Sequence, residues 1–211
     1  MNELQKYLRT TFPQLQLRPS LLNQAKHGLH IELGDQIYQF TDDGELNMSR
    51  FEAVYQQTAA IFNELFSETD ELFLVSNLYL LNDQRQQPAH PHIYDRFLKN
   101  NKLKNKLIQM EMPYILEDDE PFYYISQLML KCSRVDFNWA QLMKATAHED
   151  FPLHPQFNRK GQAYYPDIFL INKSQNLIFF IYDDRGCEVV AANQEQIQVL
   201  KEKFEVWVET I

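Results

Sequence analysis

The chain has 211 residues, 45% of them hydrophobic and 13% aromatic, with 20 basic against 29 acidic side chains and a net charge of -9. So much apolar surface excludes extended disorder, and an acidic surface repels the phosphates of nucleic acid, leaving nucleic acid out of the expected partners. The opening run Met1-Asn2-Glu3-Leu4-Gln5-Lys6 lacks the apolar core of a signal peptide, and no uncharged stretch approaches the roughly 18 residues of a membrane span, so a cytoplasmic protein without membrane contact is expected.

Asn2 to Arg9 has the pattern of an opening helix, and Leu29 to Leu33 that of a strand. Ser49, three residues before Glu52, forms a capping box. The helix it starts places Phe51, Val54, Tyr55, Thr58, Phe62, Leu65 and Phe66 on one stripe, which predicts a face packed on a core. Glu71 to Leu80 reads as a strand and is followed by the polar stretch Asn82 to Pro91. Residues 1–211 read as a single domain, and if it has two lobes their seam falls near 82–92. Lys106 to Tyr114 and Phe122 to Cys132 again have strand character. A short helix is expected from Asp136 through Trp139, Ala140, Met143 and Ala147, followed by a proline-bearing loop over His148 to Tyr165. The lysines at 99, 102, 104 and 106 lack interleaved aromatics and read as solvated surface.

Three short strands then follow, Ile168 to Ile171, Leu177 to Tyr182 and Cys187 to Ala191. The tight polar turns between them, Lys173-Ser174-Gln175-Asn176 and Asp183-Asp184-Arg185-Gly186, predict an antiparallel meander. A last helix after Asn193 aligns Ile197, Leu200, Phe204, Trp207 and Ile211. Helices flanking a mainly antiparallel sheet with a C-terminal three-strand meander give an α+β fold. Cys132 and Cys187 each sit in an apolar run outside any paired motif, and free, buried thiols are expected.

In the second turn, Gly186 is expected to supply a positive φ and Asp183 to accept backbone N–H bonds. Asp184 and Arg185 then project from the tip with Glu188 beside them, a mixed-charge contact surface. The string Tyr182-Asp183-Asp184-Arg185-Gly186-Cys187-Glu188-Val189-Val190-Ala191, followed by a helix ending near Trp207, resembles a family of bacterial domains of unknown function, number 3885. Ile31-Glu32-Leu33-Gly34, the long helix ending Leu65-Phe66 and the strand Leu72 to Leu78 sit where that family has similar elements. The resemblance implies a bacterial, cytoplasmic accessory protein and brings no activity with it.

Complete catalytic signatures are missing. There is no Gly-x-Ser-x-Gly, no Walker A loop and no Gly-x-Gly-x-x-Gly, and a chain with 5 glycines is poorly equipped to wrap a phosphate in backbone amides. Imidazole and carboxylate do meet in His90-Pro91-His92 with Asp95 and in His148-Glu149-Asp150 with His154. Two histidines one residue apart point the same way on a strand, which makes His90, His92 and His148 candidate ligands of a metal-dependent hydrolase. Their spacing matches neither a zincin helix nor a zinc finger, so no metal or other cofactor is expected. Tyr164-Tyr165-Pro166, in the loop before a strand, is the aromatic pair expected at the surface. Tyr164 and Tyr165 thus join Asp184, Arg185 and Glu188 as candidate binding residues. The leading expectation is a non-enzymatic, acidic protein-binding module with a protein partner, of the immunity type that neutralises a toxin. The metal-dependent hydrolase is the alternative.

Overall fold

Both faces of one antiparallel sheet are covered in the computed structural model, which describes residues 1–81, 91–113, 123–157 and 165–208. The strands are β1 (Gly28–Glu32), β2 (Leu72–Leu81), β3 (Ile108–Pro113), β4 (Tyr123–Cys132), β5 (Asp167–Asn172), β6 (Leu177–Ile181) and β7 (Gly186–Ala191). Their spatial order is β1-β7-β6-β5-β2-β4-β3, and every pairing is antiparallel. The meander predicted for the C-terminal strands is therefore present as β5-β6-β7, and the fold is α+β. Residues 82–90, where a seam is expected, lie outside the described residues, and β2 and β4 on either side of them pair with each other in this sheet.

Because side chains alternate across a strand, each central strand feeds two cores. Leu74, Leu130, Leu170, Phe179 and Val189 face α2 (Met48–Leu65), α3 (Trp139–Ala147) and α4 (Gln194–Lys203). Phe73, Val75, Phe169, Phe180 and Val190 face the other way, toward Leu4 of α1 (Glu3–Thr11) and Phe12, Leu15, Leu17 and Leu21 after it. Double coverage explains why β6 and β7 are buried at every position instead of alternating apolar with polar residues.

The helix starts are set by local capping. α1 has a capping box: Asn2 Oδ1 accepts the Gln5 N–H at 2.8 Å, and Gln5 Oε1 accepts the Asn2 N–H at 3.0 Å. α2 begins at Met48, one residue ahead of the expected Ser49, because Asn47 is its N-cap and accepts the Ser49 N–H at 3.3 Å. α3 begins at Trp139 behind Asn138, later than expected from Asp136. Asp136 is instead held in a short 3₁₀ turn, where its Oδ2 accepts the Ser133 N–H at 2.7 Å and the Ser133 hydroxyl at 2.9 Å. After α4, Phe204 is buried and stacks on Trp207 with centroids 5.5 Å apart. Cys132 and Cys187 are free and buried, as expected. No helix among the described residues is long and apolar enough to cross a membrane.

Register brings distant segments to one end of the sheet. Glu32 at the end of β1 pairs with Gly186 at the start of β7, and Asp167 at the start of β5 pairs with Asn77 of β2. The turn 182–185, the loop after β1 and the segment before β5 therefore share this end.

Candidate functional site

The turn between β6 and β7 directs its two aspartates to different partners. Asp183 Oδ1 accepts the Arg185 N–H at 2.7 Å, and its other oxygen accepts the Arg185 guanidinium through Nε at 2.8 Å and through Nη2. Asp183 thus caps the turn as its position predicts, while the Arg185 side chain remains 66% exposed. Asp184 does not project from the tip. Its side chain is 1% exposed and meets Arg50 of α2, whose Nε donates to Oδ2 at 2.5 Å. Arg50 Nη2 also donates to the Asp184 carbonyl at 3.0 Å, and Nη1 to the Ile37 carbonyl at 2.5 Å. The Gln39 amide donates to both Asp184 carboxylate oxygens at 3.1 and 3.2 Å. Two charges taken out of water require each other and a full set of hydrogen bonds, which is why Asp184 turns inward.

Glu188 is buried as well, and its Oε2 accepts the Leu21 N–H at 2.7 Å. Burial raises the pKa of its carboxyl group, against the opposing pull of the Leu21 amide and His30. Of the hairpin residues expected at the surface, Arg185 alone is there.

Gly186 also differs from expectation, since its φ is not positive; among the described residues the glycines with positive φ are Gly34 and Gly44. What demands glycine at 186 is a close approach. Above its Cα, the Tyr182 hydroxyl and His30 Nε2 hydrogen-bond at 2.8 Å. A Cβ there would collide with that hydroxyl and stand 2.9 Å from the imidazole nitrogen. Gly34 meets both demands: its φ is +88°, and a Cβ would stand 2.5 Å from Arg50 Nη1.

The loop from Gly34 to Asn47 is anchored on its inner side and presents two aromatics, Tyr38 and Phe40, among polar and acidic residues on its outer side. Ile37 and Gln39 are held by Arg50 and Asp184, while Tyr38 between them is 85% exposed. Phe40 is exposed and stands 6.2 Å from Phe151. Tyr165 is also exposed, and Tyr164 lies outside the described residues.

Beneath these aromatics, carboxyl groups gather with raised affinity for protons. Burial, reinforced by the charges of Asp167, Asp150 and Asp183, pushes Glu149 up to about 7. Burial pushes Asp167 up to about 6, against the hydrogen bond that Tyr79 donates to its Oδ2. Glu149 and Asp167 can thus hold protons near neutrality.

His148 is 1% exposed, with Nε2 on the Tyr55 hydroxyl and Nδ1 on the Pro155 carbonyl at 2.9 Å. Both ring nitrogens are engaged, so the geometry gives His148 a structural place between α2 and the loop after α3. His90 and the side chain of His92 lie outside the described residues. Among the described residues, no group of three or more His, Cys, Asp or Glu side chains is arranged to hold a metal ion.

Sequence reasoning did not single out Arg50, although a signal exists: it lies four residues before Val54, a cation on the apolar stripe of α2. Tyr38 carries no such signal, because its exposure follows from the anchoring of its two neighbours.

A family model described as a domain of unknown function (DUF3885) matches residues 4–210. The chain belongs to this family. The DUF3885 match spans the whole sheet and the Arg50–Asp184 junction. The chain is also 40% identical over 204 residues to the "Uncharacterized protein YnaE" of Bacillus subtilis (strain 168), covering 96% of this chain and 95% of that protein. No solved structure matches.

Proposed function

We propose that this protein is a non-enzymatic protein-binding module of the bacterial cytoplasm, of the immunity type, with its contact surface at the hairpin end of the sheet. The observation that carries the reading is Tyr38, whose ring is 85% exposed between two residues tied to the buried Arg50–Asp184 pair. An exposed aromatic on an anchored backbone has little conformational entropy left to lose on binding, which is what an interface anchor requires. Phe40 and Tyr165 extend the apolar surface, and Arg185 gives it a polar rim. The net charge of -9 favours a partner with a basic patch.

The test is co-expression with the product of the adjacent gene, followed by calorimetry on the purified pair. A one-to-one complex is expected, and Tyr38→Ala weakens it by at least about tenfold while the thermal transition stays in place. Absence of a complex at micromolar concentration, or a complex that Tyr38→Ala and Arg185→Ala leave unchanged, would count against the reading.

A further inference from the structure

On the opposite side of the sheet from α2, the geometry points to a small-molecule site in the groove between α1 and the ends of β2, β4 and β3. We infer that it binds a compact aromatic acid that carries an N–H or O–H donor.

The groove encloses about 320 Å³, within the size range of ligand pockets. Its walls are apolar: Leu4, Leu8, Leu15, Leu17, Met112 and Ile125. Its floor is polar, and a chain of hydrogen bonds settles which polar atom it presents. The Leu17 carbonyl can only accept, so the group facing it at 2.7 Å is the Asn77 amide nitrogen. Asn77 Oδ1 is thereby turned to Gln127, whose amide nitrogen donates to it at 2.9 Å. Gln127 Oε1 is left as the remaining acceptor on the floor of the groove and has no hydrogen-bond partner among the described residues. Gln127 is 6% exposed and Asn77 1% exposed. An acceptor at the base of a groove that no protein donor occupies is open to a donor on a ligand.

At the mouth stands Arg9, on the exposed side of α1, with no ion pair among the described residues. The arrangement is an acceptor at the base, apolar walls, and a cation at the rim. It complements a ligand with a donor at one end, a flat apolar body and a carboxylate at the other. Its walls and floor differ from the surface of the proposed protein interface, so the two readings stand or fall separately.

Calorimetry and amide chemical-shift mapping on the full chain test the inference with three probes: indole-3-acetate, its N-methylated form and tryptamine. Indole-3-acetate is expected to bind one-to-one with a Kd below about 1 mM and to perturb residues of α1 and β4. The N-methylated probe, which lacks the donor, binds about tenfold more weakly, and tryptamine, with the opposite charge, does so too. Leu8→Trp fills the groove and abolishes binding. Should that variant fail to fold, Arg9→Glu at the exposed rim weakens the acid at least threefold and improves tryptamine. No saturable binding of indole-3-acetate, equal affinity for its N-methylated form, or indifference to both variants overturns the proposal.

Discussion

The Arg50 guanidinium and the Asp184 carboxylate meet at 2.5 Å inside the protein, joining residues 134 positions apart in the chain. Three elements share this pair: α2 supplies the arginine, the turn between β6 and β7 the aspartate, and the loop after β1 lies over both through Ile37 and Gln39. Removal of either partner leaves a buried charge without its counterion. Arg50→Ala and Asp184→Ala are each expected to cost about 3–5 kcal/mol in urea denaturation, and Arg50→Met with Asp184→Leu together far less than the sum. Additive losses in the double variant would show that the two residues act independently.

Gly186 is needed for clearance beneath the Tyr182 hydroxyl and not for its φ. Gly186→Ala is expected to cost about 1–3 kcal/mol through overpacking. The penalty shrinks in a Tyr182→Phe background, giving a coupling energy of at least about 0.5 kcal/mol in a double-mutant cycle. Backbone strain would give no such coupling, so zero coupling would refute the clearance account.

Glu149 and Asp167 have their carboxyl pKa values raised on folding, from 4.5 to about 7 and from 3.8 to about 6. A raised folded-state pKa means that the native state holds the proton more tightly than the unfolded chain. Their contribution to stability is complete below the unfolded values and is lost as pH rises through the folded ones, between about pH 4 and 7. Thermal melts are expected to show a higher transition temperature at pH 6 than at pH 8. Glu149→Gln, neutral at both, flattens that difference, and an unchanged slope in this variant would remove Glu149 as its source.

Arg185 holds Asp183 from an exposed position, where a pair is screened by water. Arg185→Ala is expected to change stability by less than about 1 kcal/mol in denaturant titrations. Its effect belongs instead to partner affinity. A larger loss of stability would make the residue structural and take it out of the contact surface.

The α+β class, the C-terminal meander, the helix after Asn193 and the buried free cysteines follow from apolar period, turn residues and capping side chains, all of them local signals. Asp183 was legible for the same reason, since its partners lie two residues away. Capping competition shifted two helix starts: Asn47 and Asn138 offered caps that Ser49 and Asp136 did not displace.

The direction of Asp184 and Glu188 was not legible, because the groups that draw them inward, Arg50 and the Leu21 amide, are far away in sequence. For Gly186 the constraint is local in part: Tyr182 lies four residues away, but His30, which bonds the Tyr182 hydroxyl above the glycine, comes from β1. By itself, then, the sequence determined which segments become strands and helices, and membership in the DUF3885 family through the Tyr-Asp-Asp-Arg-Gly string. Only the tertiary structure decided which charges of that string are buried and which reach solvent. Local propensity acts over a few residues, whereas desolvation and pairing of charge depend on what the fold brings alongside.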